Sequence, residues 1–382
     1  MSTLKVNAIR QTTATSDAVT LASDGTCTVK ATNNLSNKNI AYNGEMRISQ
    51  RSTSEAGLGA TSKYSAIDRF KYEFNNTAGR VTVSQETDAP DGFSNSLKVA
   101  TTTADTTIAA DELFVIGQRF EGQDLQAFAK GTSSAKQFSV SFYVKGNAAA
   151  TYVCELYDID NNRHVGKTFS VTTAWSRVTL LFPADTTGAF GVDINNSLRL
   201  NFWLHGGSNF TGGTLQQTWG SESASSRAAG ISSVFDSTSR TFFLTGVQLE
   251  VGDVATDFEH RSYDEELQRC YRYYEQFNSN GLTEAMFASG YFEANARGRH
   301  CLRFNRKRAT PTITASAAST FMNLNTNAVP AGNTITIKKP TETSAEFQLE
   351  AGSGAGDGTD GQGCCLASKD STEATIKISA EL

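Results

Sequence analysis

Residues 242–275, FFLTGVQLEVGDVATDFEHRSYDEELQRCYRYYE, decide the fold class. Phe242, Leu244, Val247, Leu249 and Val251 form a mostly apolar run with local alternation, the pattern of a largely buried strand. Gly252-Asp253 stops it, and Asp257, Glu259, His260, Arg261 and Tyr263 make a polar connector. Asp264, Glu265 and Glu266 then open a helix, with acids at the positive end of its dipole. Leu267, Cys270, Tyr271 and Tyr274 recur at three- and four-residue spacing on one face, which predicts a helix over about 264–277. A sheet domain closes here and a helix leads onward.

Upstream, strands succeed one another at 69–75, 79–86, 96–102, 113–121, 137–145, 151–158, 165–172, 176–182, 197–204 and 240–251. The segment QFSVSFYVK (137–145) alternates most clearly, with Phe138, Val140 and Phe142 on one face. Short strands with polar turns imply two packed antiparallel sheets, with Phe138, Val140, Phe142, Leu180, Phe202, Val247 and Leu249 in the core. Downstream, strands are expected at 286–295, 299–305, 311–317, 333–339, 344–351 and 374–380, with a glycine-rich loop at 352–363. Residues 1–40 carry too little apolar surface for a core of their own and are expected to order only against another chain. The chain thus divides into a docking segment (1–40), a jelly-roll-like antiparallel β-sandwich (41–262), and a short helix plus a small distal β domain (263–382). The fold class is all-β.

Composition narrows the function. A net charge of −5 with no broad basic field excludes duplex nucleic acid as an expected partner. No continuous apolar window reaches the length of a membrane span, so no membrane insertion is expected. The six cysteines are scattered without a CxxC pair, which reads as free thiols rather than a zinc site. The four histidines have no ligand spacing, and no nucleophile elbow, P-loop or dinucleotide fingerprint appears, so the chain reads as no enzyme and no cofactor is expected.

Four features merit assignment. Trp219 lies in the long polar loop 205–239 beside Gln216, Gln217 and Glu222, a glycan-stacking candidate if exposed and a loop anchor if packed. Trp175 and Trp203 belong to strands and are expected in the core. Asp158, Asp160 and Asn162 place oxygens at alternating positions, a calcium candidate without the glycine and closing glutamate of an EF-hand; a hairpin turn explains them more simply. Asp357 and Asp360 form a weaker candidate. Arg299, Arg303, Arg306, Lys307 and Arg308, with Arg297, form a basic cluster that could face anionic polysaccharide or lipopolysaccharide, or pair with acids such as Asp264, Glu265 and Glu266 of another subunit. Tyr271, Tyr273, Tyr274 and Phe277 exceed what one amphipathic face needs, so they pack either on the sandwich or around a symmetry axis.

The wording of several segments resembles a known family. GVQLEVG followed by ATDFEHRSYDEELQRCYRYYE is similar to the end of a β-sandwich module in tail-fibre and related virion proteins of tailed bacteriophages, particularly phages of marine cyanobacteria. Asn39-Ile-Ala-Tyr-Asn-Gly-Glu-Met, later Gln50-Arg51, and Tyr64-Ser-Ala-Ile-Asp-Arg-Phe70 resemble its opening landmarks, with Glu45 where Ala or Asp is usual. Phe304–Pro311, FNRKRATP, is similar to an element of the family's distal domain. The resemblance implies a trimeric, non-enzymatic virion protein with a sandwich like those of carbohydrate-binding modules. The chain is expected to attach to host-surface polysaccharide or lipopolysaccharide, to dock to other virion proteins through residues 1–40 and to sit in the tail rather than the capsid, a position that the resemblance itself does not fix. The alternative is an architectural fibre base or capsid decoration. A polysaccharide-degrading tailspike would need a longer repetitive β-helix, and no fixed period appears.

Overall fold

The computed structural model describes residues 6–13, 15, 17–21, 23, 27–29, 37–294, 296–325, 332–351, 358–370 and 373–382. Two antiparallel sheets pack face to face. One has six strands in the order Ser176–Phe182, Phe138–Gly146, Thr241–Val251, Ser96–Thr103, Arg80–Glu86, Ser54–Leu58. The other has seven: Gly220–Ser221, Arg163–Val171, Ala150–Asp158, Asn196–Gly206, Leu113–Glu121, Lys71–Asn75, Lys63–Tyr64. The chain passes repeatedly between the sheets, which gives the jelly-roll-like arrangement. Phe138, Val140, Phe142, Phe202, Val247 and Leu249 are fully buried between them, and Leu180, on an edge strand, is partly buried. Phe142 meets Phe169 and Phe202 edge-on, each at 5.0 Å between centroids, contacts worth about 1 kcal/mol beyond area burial.

The two strand tryptophans depart from the expected core positions. Trp203 is buried, but on the outer side of the seven-stranded sheet, beneath the 205–239 loop, where Phe210, Leu215 and Ile231 pack on Val115, Val153 and Trp203. Trp175 is half-buried outside the six-stranded sheet: its Nε1 donates to Asp88 at 3.0 Å and Lys145 stands 5.3 Å from its ring. Each precedes or occupies a strand at outward parity, and a loop or a lysine stem shields it.

The helix is shorter than its periodicity implied. Ser262 caps it, its Oγ accepting from Glu265 N at 3.2 Å, and it runs Tyr263–Tyr271. Tyr274–Asn278 is instead a strand, paired with Thr375–Ser379, which pairs in turn with Thr312–Ala315. Tertiary pairing overrides helical propensity here, because Tyr273 is drawn into the sandwich. A six-stranded sheet, ordered Phe321–Leu324, Gly363–Ser368, Met286–Ala294, Arg297–Arg303, Ser344–Ala351, Gly332–Lys338, closes over this smaller one. Leu302, Phe321, Phe347, Leu349, Leu366, Ile376 and Ile378 fill the space between.

Two of these aromatics are consumed inside the chain. Tyr273 is fully buried against Tyr42, with 5.4 Å between ring centroids, and its hydroxyl donates to Glu121 at 2.6 Å. Tyr274 is buried too. Tyr271 and Phe277 are partly buried, and Tyr263 at the start of the helix is exposed. Of the 1–40 segment, Ala8–Ile9, Val19–Leu21 and Cys27–Val29 form an antiparallel three-stranded sheet. Leu4 and much of the rest of the docking segment lie outside the described residues, as does Asp357 of the glycine-rich loop.

The family-like landmarks converge on the joint between the two halves. Arg69 adopts φ 72°, in the left-handed region, and its side chain is fully buried. Its guanidinium lies 3.3 Å over the Tyr273 ring, donates to Arg119 O at 2.9 Å and pairs with Glu381. Arg51 also pairs with Glu381, at 3.0 Å. Gln50 bridges Asp68, at 2.5 Å, and the Tyr274 carbonyl, at 3.0 Å. Asn39 Nδ2 donates to Val247 O at 3.2 Å, and a Cβ on Gly44 would run into that same carbonyl. Asn43, Asp68 and Arg261 complete the lock through bonds to Ile48, Gln50 and the Ala41 carbonyl.

Two outcomes are expected. Removing one partner of a buried ion pair strands the other charge, so Arg69→Ala is expected to cost about 3–5 kcal/mol. The double replacement Arg69→Met/Glu381→Leu is expected to recover most of that loss; denaturant unfolding of the full chain measures both. The second outcome concerns His300, which is 1% exposed. Its Nε2 donates to Asn323 Oδ1 at 2.7 Å, since the Asn323 amide nitrogen faces the Leu349 carbonyl. Burial depresses its pKa from 6.5 to about 4. The unfolded imidazole takes a proton over that interval while the folded one does not, so stability falls as pH drops from 6.5 toward 4 and levels off below. The loss is about 3 kcal/mol at most, and His300→Gln is expected to flatten this limb of the stability–pH curve.

Candidate functional site

The residues singled out from sequence are mostly occupied by their own fold. The Trp219 ring is half-buried against the sandwich, 5.5 Å from Phe138 between centroids, and its Nε1 donates to Pro183 O at 2.9 Å. It anchors the loop rather than standing free for a sugar. Gln216 Nε2 donates to His164 O at 2.9 Å, and Glu222 N to Asn162 O at 2.9 Å, while Gln217 is exposed beside them. The long loop is held down by Arg227, which reaches Glu155 with two bonds at 2.7 and 2.8 Å. Burial pushes the Glu155 carboxyl up, but Arg227, with His164 and Asn201, holds it well below the usual carboxylate range.

The calcium candidate is corrected by an internal ammonium. Lys130 is buried, and its Nζ sits 2.5 Å from Asp158 and 3.0 Å from Asp185, with the Thr187 and Gly188 carbonyls at 2.9 and 2.7 Å. That oxygen cage is already filled by a cation of the chain. Asp160 accepts from Gly191 N at 2.8 Å, and Asn162, at φ 50°, accepts from the Tyr157 hydroxyl at 2.5 Å. These residues build a turn. Among the described residues no group of three or more His, Cys, Asp or Glu could hold a metal ion.

The basic cluster is likewise internal. Arg299 pairs with Glu293 at 2.5 Å and Glu346 at 3.4 Å, Arg306 with Glu342 at 2.7 Å, and Arg297 with Glu350 at 2.7 Å. Lys307 is buried, bonded to Glu275 and the Tyr271 carbonyl at 2.7 Å each. Arg308 donates to the Ala380, Ile194 and Glu381 carbonyls at 2.6, 3.1 and 3.2 Å. Arg303 alone of the five points outward with no ion pair among the described residues. The partners come from the neighbouring strand and the joint, not from Asp264, Glu265 or Glu266. The continuous anionic-ligand patch does not form.

A different feature has the dimensions of a binding site. Between the sandwich edge and the smaller distal sheet lies a cleft of about 550 Å³, lined by Arg51, Glu55, Lys63, Tyr64, Tyr274, Thr312, Thr314 and Lys377, with Ser52 and Ser379. Ligand sites favour such junctions and volumes. Strand parity explains the lining: Tyr274, Ser379 and Thr312 pair across the distal sheet in one row, with Gln276, Lys377 and Thr314 in the next on the same face. The Arg51 guanidinium stands 3.5 Å over the Tyr274 ring and 5.5 Å from the Tyr64 ring. Burial raises both phenols to about 12, so they stay neutral. Lys63 and Glu55 pair at 2.6 Å. Burial opposes it, but hydrogen bonds from Lys63 and Ser65 hold the Glu55 carboxyl below its ordinary value. The cleft offers the partly exposed Tyr64 ring, the Arg51 guanidinium lying over Tyr274, both charges and several hydroxyls, which suits a polyhydroxylated ligand.

Sequence reading touched Arg51, Tyr64 and Tyr274 only as landmarks and missed Thr312, Thr314, Lys377 and Ser379. The signal for the latter was the alternation in Thr312–Ala315 and Thr375–Ser379, which gives each strand one polar face.

No family model matches the chain. No curated protein matches it either. Among solved structures, it is similar to a family 4 carbohydrate-binding module (11% identity, TM-score 0.28, covering 55% of this chain and 97% of that one). It is also similar to the enzymatically active domain of bacteriophage CBA120 tailspike protein 4 (13%, 0.31, 56% and 21%). A third likeness is to the family 11 carbohydrate-binding module of the cellulase Lic26A-Cel5E of Clostridium thermocellum (12%, 0.26, 53% and 100%). At these scores the sandwich assignment stands on the strand pairing itself.

The ammonium cage yields its own outcome. Lys130→Ala leaves the buried Asp158 carboxylate without a counter-charge, while Asp185 keeps Arg163 at 2.8 Å, and is expected to lower unfolding stability by about 3–5 kcal/mol. Thermal melting of the wild-type chain is expected to stay unchanged on adding calcium or chelator.

Proposed function

We propose that the chain is a structural protein of a tailed-phage particle, placed in the tail, that holds a host-surface polysaccharide without cleaving it. The cleft between Tyr64, Tyr274, Lys377 and Thr314 carries this reading. Its partly exposed Tyr64 ring can face the apolar side of a pyranose, while Tyr274 lies beneath the Arg51 guanidinium, and its Arg, Lys, Glu, Ser and Thr groups match hydroxyls. The family resemblance at 39–70 and 240–275 supplies the virion setting, with residues 1–40 as the segment that docks to other virion proteins. The homotrimer rests on that resemblance alone. Several copies acting together would raise the weak affinity of one polar cleft.

The test measures binding of the full-length chain to immobilised bacterial surface polysaccharides, with Thr314→Trp filling the cleft from an exposed strand position. Wild-type binding is expected to weaken at least tenfold in the variant, with no new reducing ends released. Equal binding by the variant moves the site elsewhere. Absence of binding to every polysaccharide returns the chain to a purely architectural role, and release of reducing ends makes it an enzyme.

A further inference from the structure

The outer face of the seven-stranded sheet carries cations that nothing in the fold answers. Arg119 and Arg199 stand directly opposite each other on paired strands, an arrangement that like charges normally destabilise. Lys71 lies one row away, opposite Gly117, which is opposite Asn201. Arg119 pairs with Glu73 and donates to Leu382 O at 2.5 Å. Arg199 has no such partner. With the Asn196 amide oriented to satisfy both its ends, the Asn196 oxygen accepts from Arg199 Nε at 3.1 Å. Neither Arg199 nor Lys71 reaches a carboxylate within ion-pair distance among the described residues; the Lys71 ammonium is 5.7 Å from the Tyr64 ring.

The floor between them is also unfinished. Asn201 is 3% exposed, and its Nδ2 donates to Glu155 at 2.9 Å, which leaves Oδ1 without a donor. That oxygen leans over Gly117, where an added Cβ would come within 2.6 Å of it. Glycine at this position thus makes room for the Asn201 side chain on the strand between those of Lys71 and Arg199. Burial, then Arg119, lowers the pKa of both Lys71 and Arg199; Glu73 opposes this for each, as do Glu381 for Lys71 and Tyr157 for Arg199, while Arg199 adds to it for Lys71 and Arg227 for Arg199. The loop that covers Trp203 and Val153 is anchored at the other end of this face. This face also runs on to the cleft, because Tyr64 lines the cleft and pairs with Lys71.

Resting on the cleft reading, we propose that Lys71 and Arg199 bind the anionic group of an acidic polysaccharide whose neighbouring residues occupy the cleft. A carboxylate or sulfate on the sugar answers the two cations. Adjacent strands are about 4.8 Å apart, so two cations on strands flanking the Gly117 strand bracket one sugar unit. The small number of cations and the net charge of −5 favour a sparsely charged sugar chain over a nucleic acid.

The test compares full-length wild type, Arg199→Gln, Lys71→Gln, Arg199→Lys and Thr314→Trp for binding to polygalacturonate, dextran sulfate and neutral dextran at two salt concentrations. Wild type is expected to bind at least one acidic polymer tenfold or more tightly than dextran, with the preference shrinking at high salt. Arg199→Gln and Lys71→Gln are expected to abolish the preference, and Arg199→Lys to retain it with an unchanged melting temperature. The two acidic polymers distinguish carboxylate from sulfate. Equal affinity for acidic and neutral polymers, or a preference untouched by both Gln variants, overturns the proposal. If Thr314→Trp weakens all three polymers alike and no acidic preference exists, the cleft survives and the anionic site does not. If Thr314→Trp changes nothing while the Gln variants abolish acidic binding, the cleft reading falls and the cation pair stands alone.

Discussion

A guanidinium buried between two tyrosine rings is the constraint on which the chain's two halves depend. Arg69 can sit there only if Glu381 neutralises it and the Arg119 carbonyl and Tyr273 ring take its remaining surface. Burial alone would disfavour that charge; the carboxylate and the rings keep it ionised. Satisfying it draws Tyr273 into the sandwich, ends the helix at Tyr271, and commits Tyr274–Asn278 to the distal sheet. The same geometry sets the separation between sandwich edge and distal sheet, and so the width of the cleft. The segments that resemble phage virion proteins contribute chiefly to this joint. Much of their wording is therefore explained by assembly of the fold, although Arg51, Tyr64 and Tyr274 also line the cleft.

Much of the sandwich was legible because alternation encodes burial directly. Phe138, Val140 and Phe142 face inward for the reason they alternate, and the acids after Ser262 mark a real helix start. The helix end was not legible: Tyr271 to Tyr274 fits helical spacing as well as a strand, and only pairing with Thr375–Ser379 decides. The strand Gly363–Ser368 was hidden behind a glycine-rich run, and Ser54–Leu58 and Lys63–Tyr64 are edge strands with little apolar content.

The candidate site was less legible, for a different physical reason. Charged residues read as surface until their partners are known. Lys130 finds Asp158 and Asp185 at long sequence separation, and Lys307 and Arg308 turn inward to the joint. The cleft gathers residues from near 51–64, 274, 312–314 and 377–379, which no local pattern brings together. What sequence can show is one polar face per strand; which faces oppose each other is a property of topology. Unanswered charges, unlike answered ones, remain informative once the structure is known, and the outer sheet face holds them.

The Arg69–Glu381 pair spans 312 positions of sequence. During synthesis at about 5–20 residues per second, roughly a quarter of a minute to a minute separates the emergence of these two side chains. Throughout that interval the sandwich strands are present, yet the pocket for Arg69 lacks its counter-charge. The nascent sandwich must leave this corner open to water, and closure waits for Glu381. Chains that stop before residue 381 keep the Arg69 cation without its counter-charge.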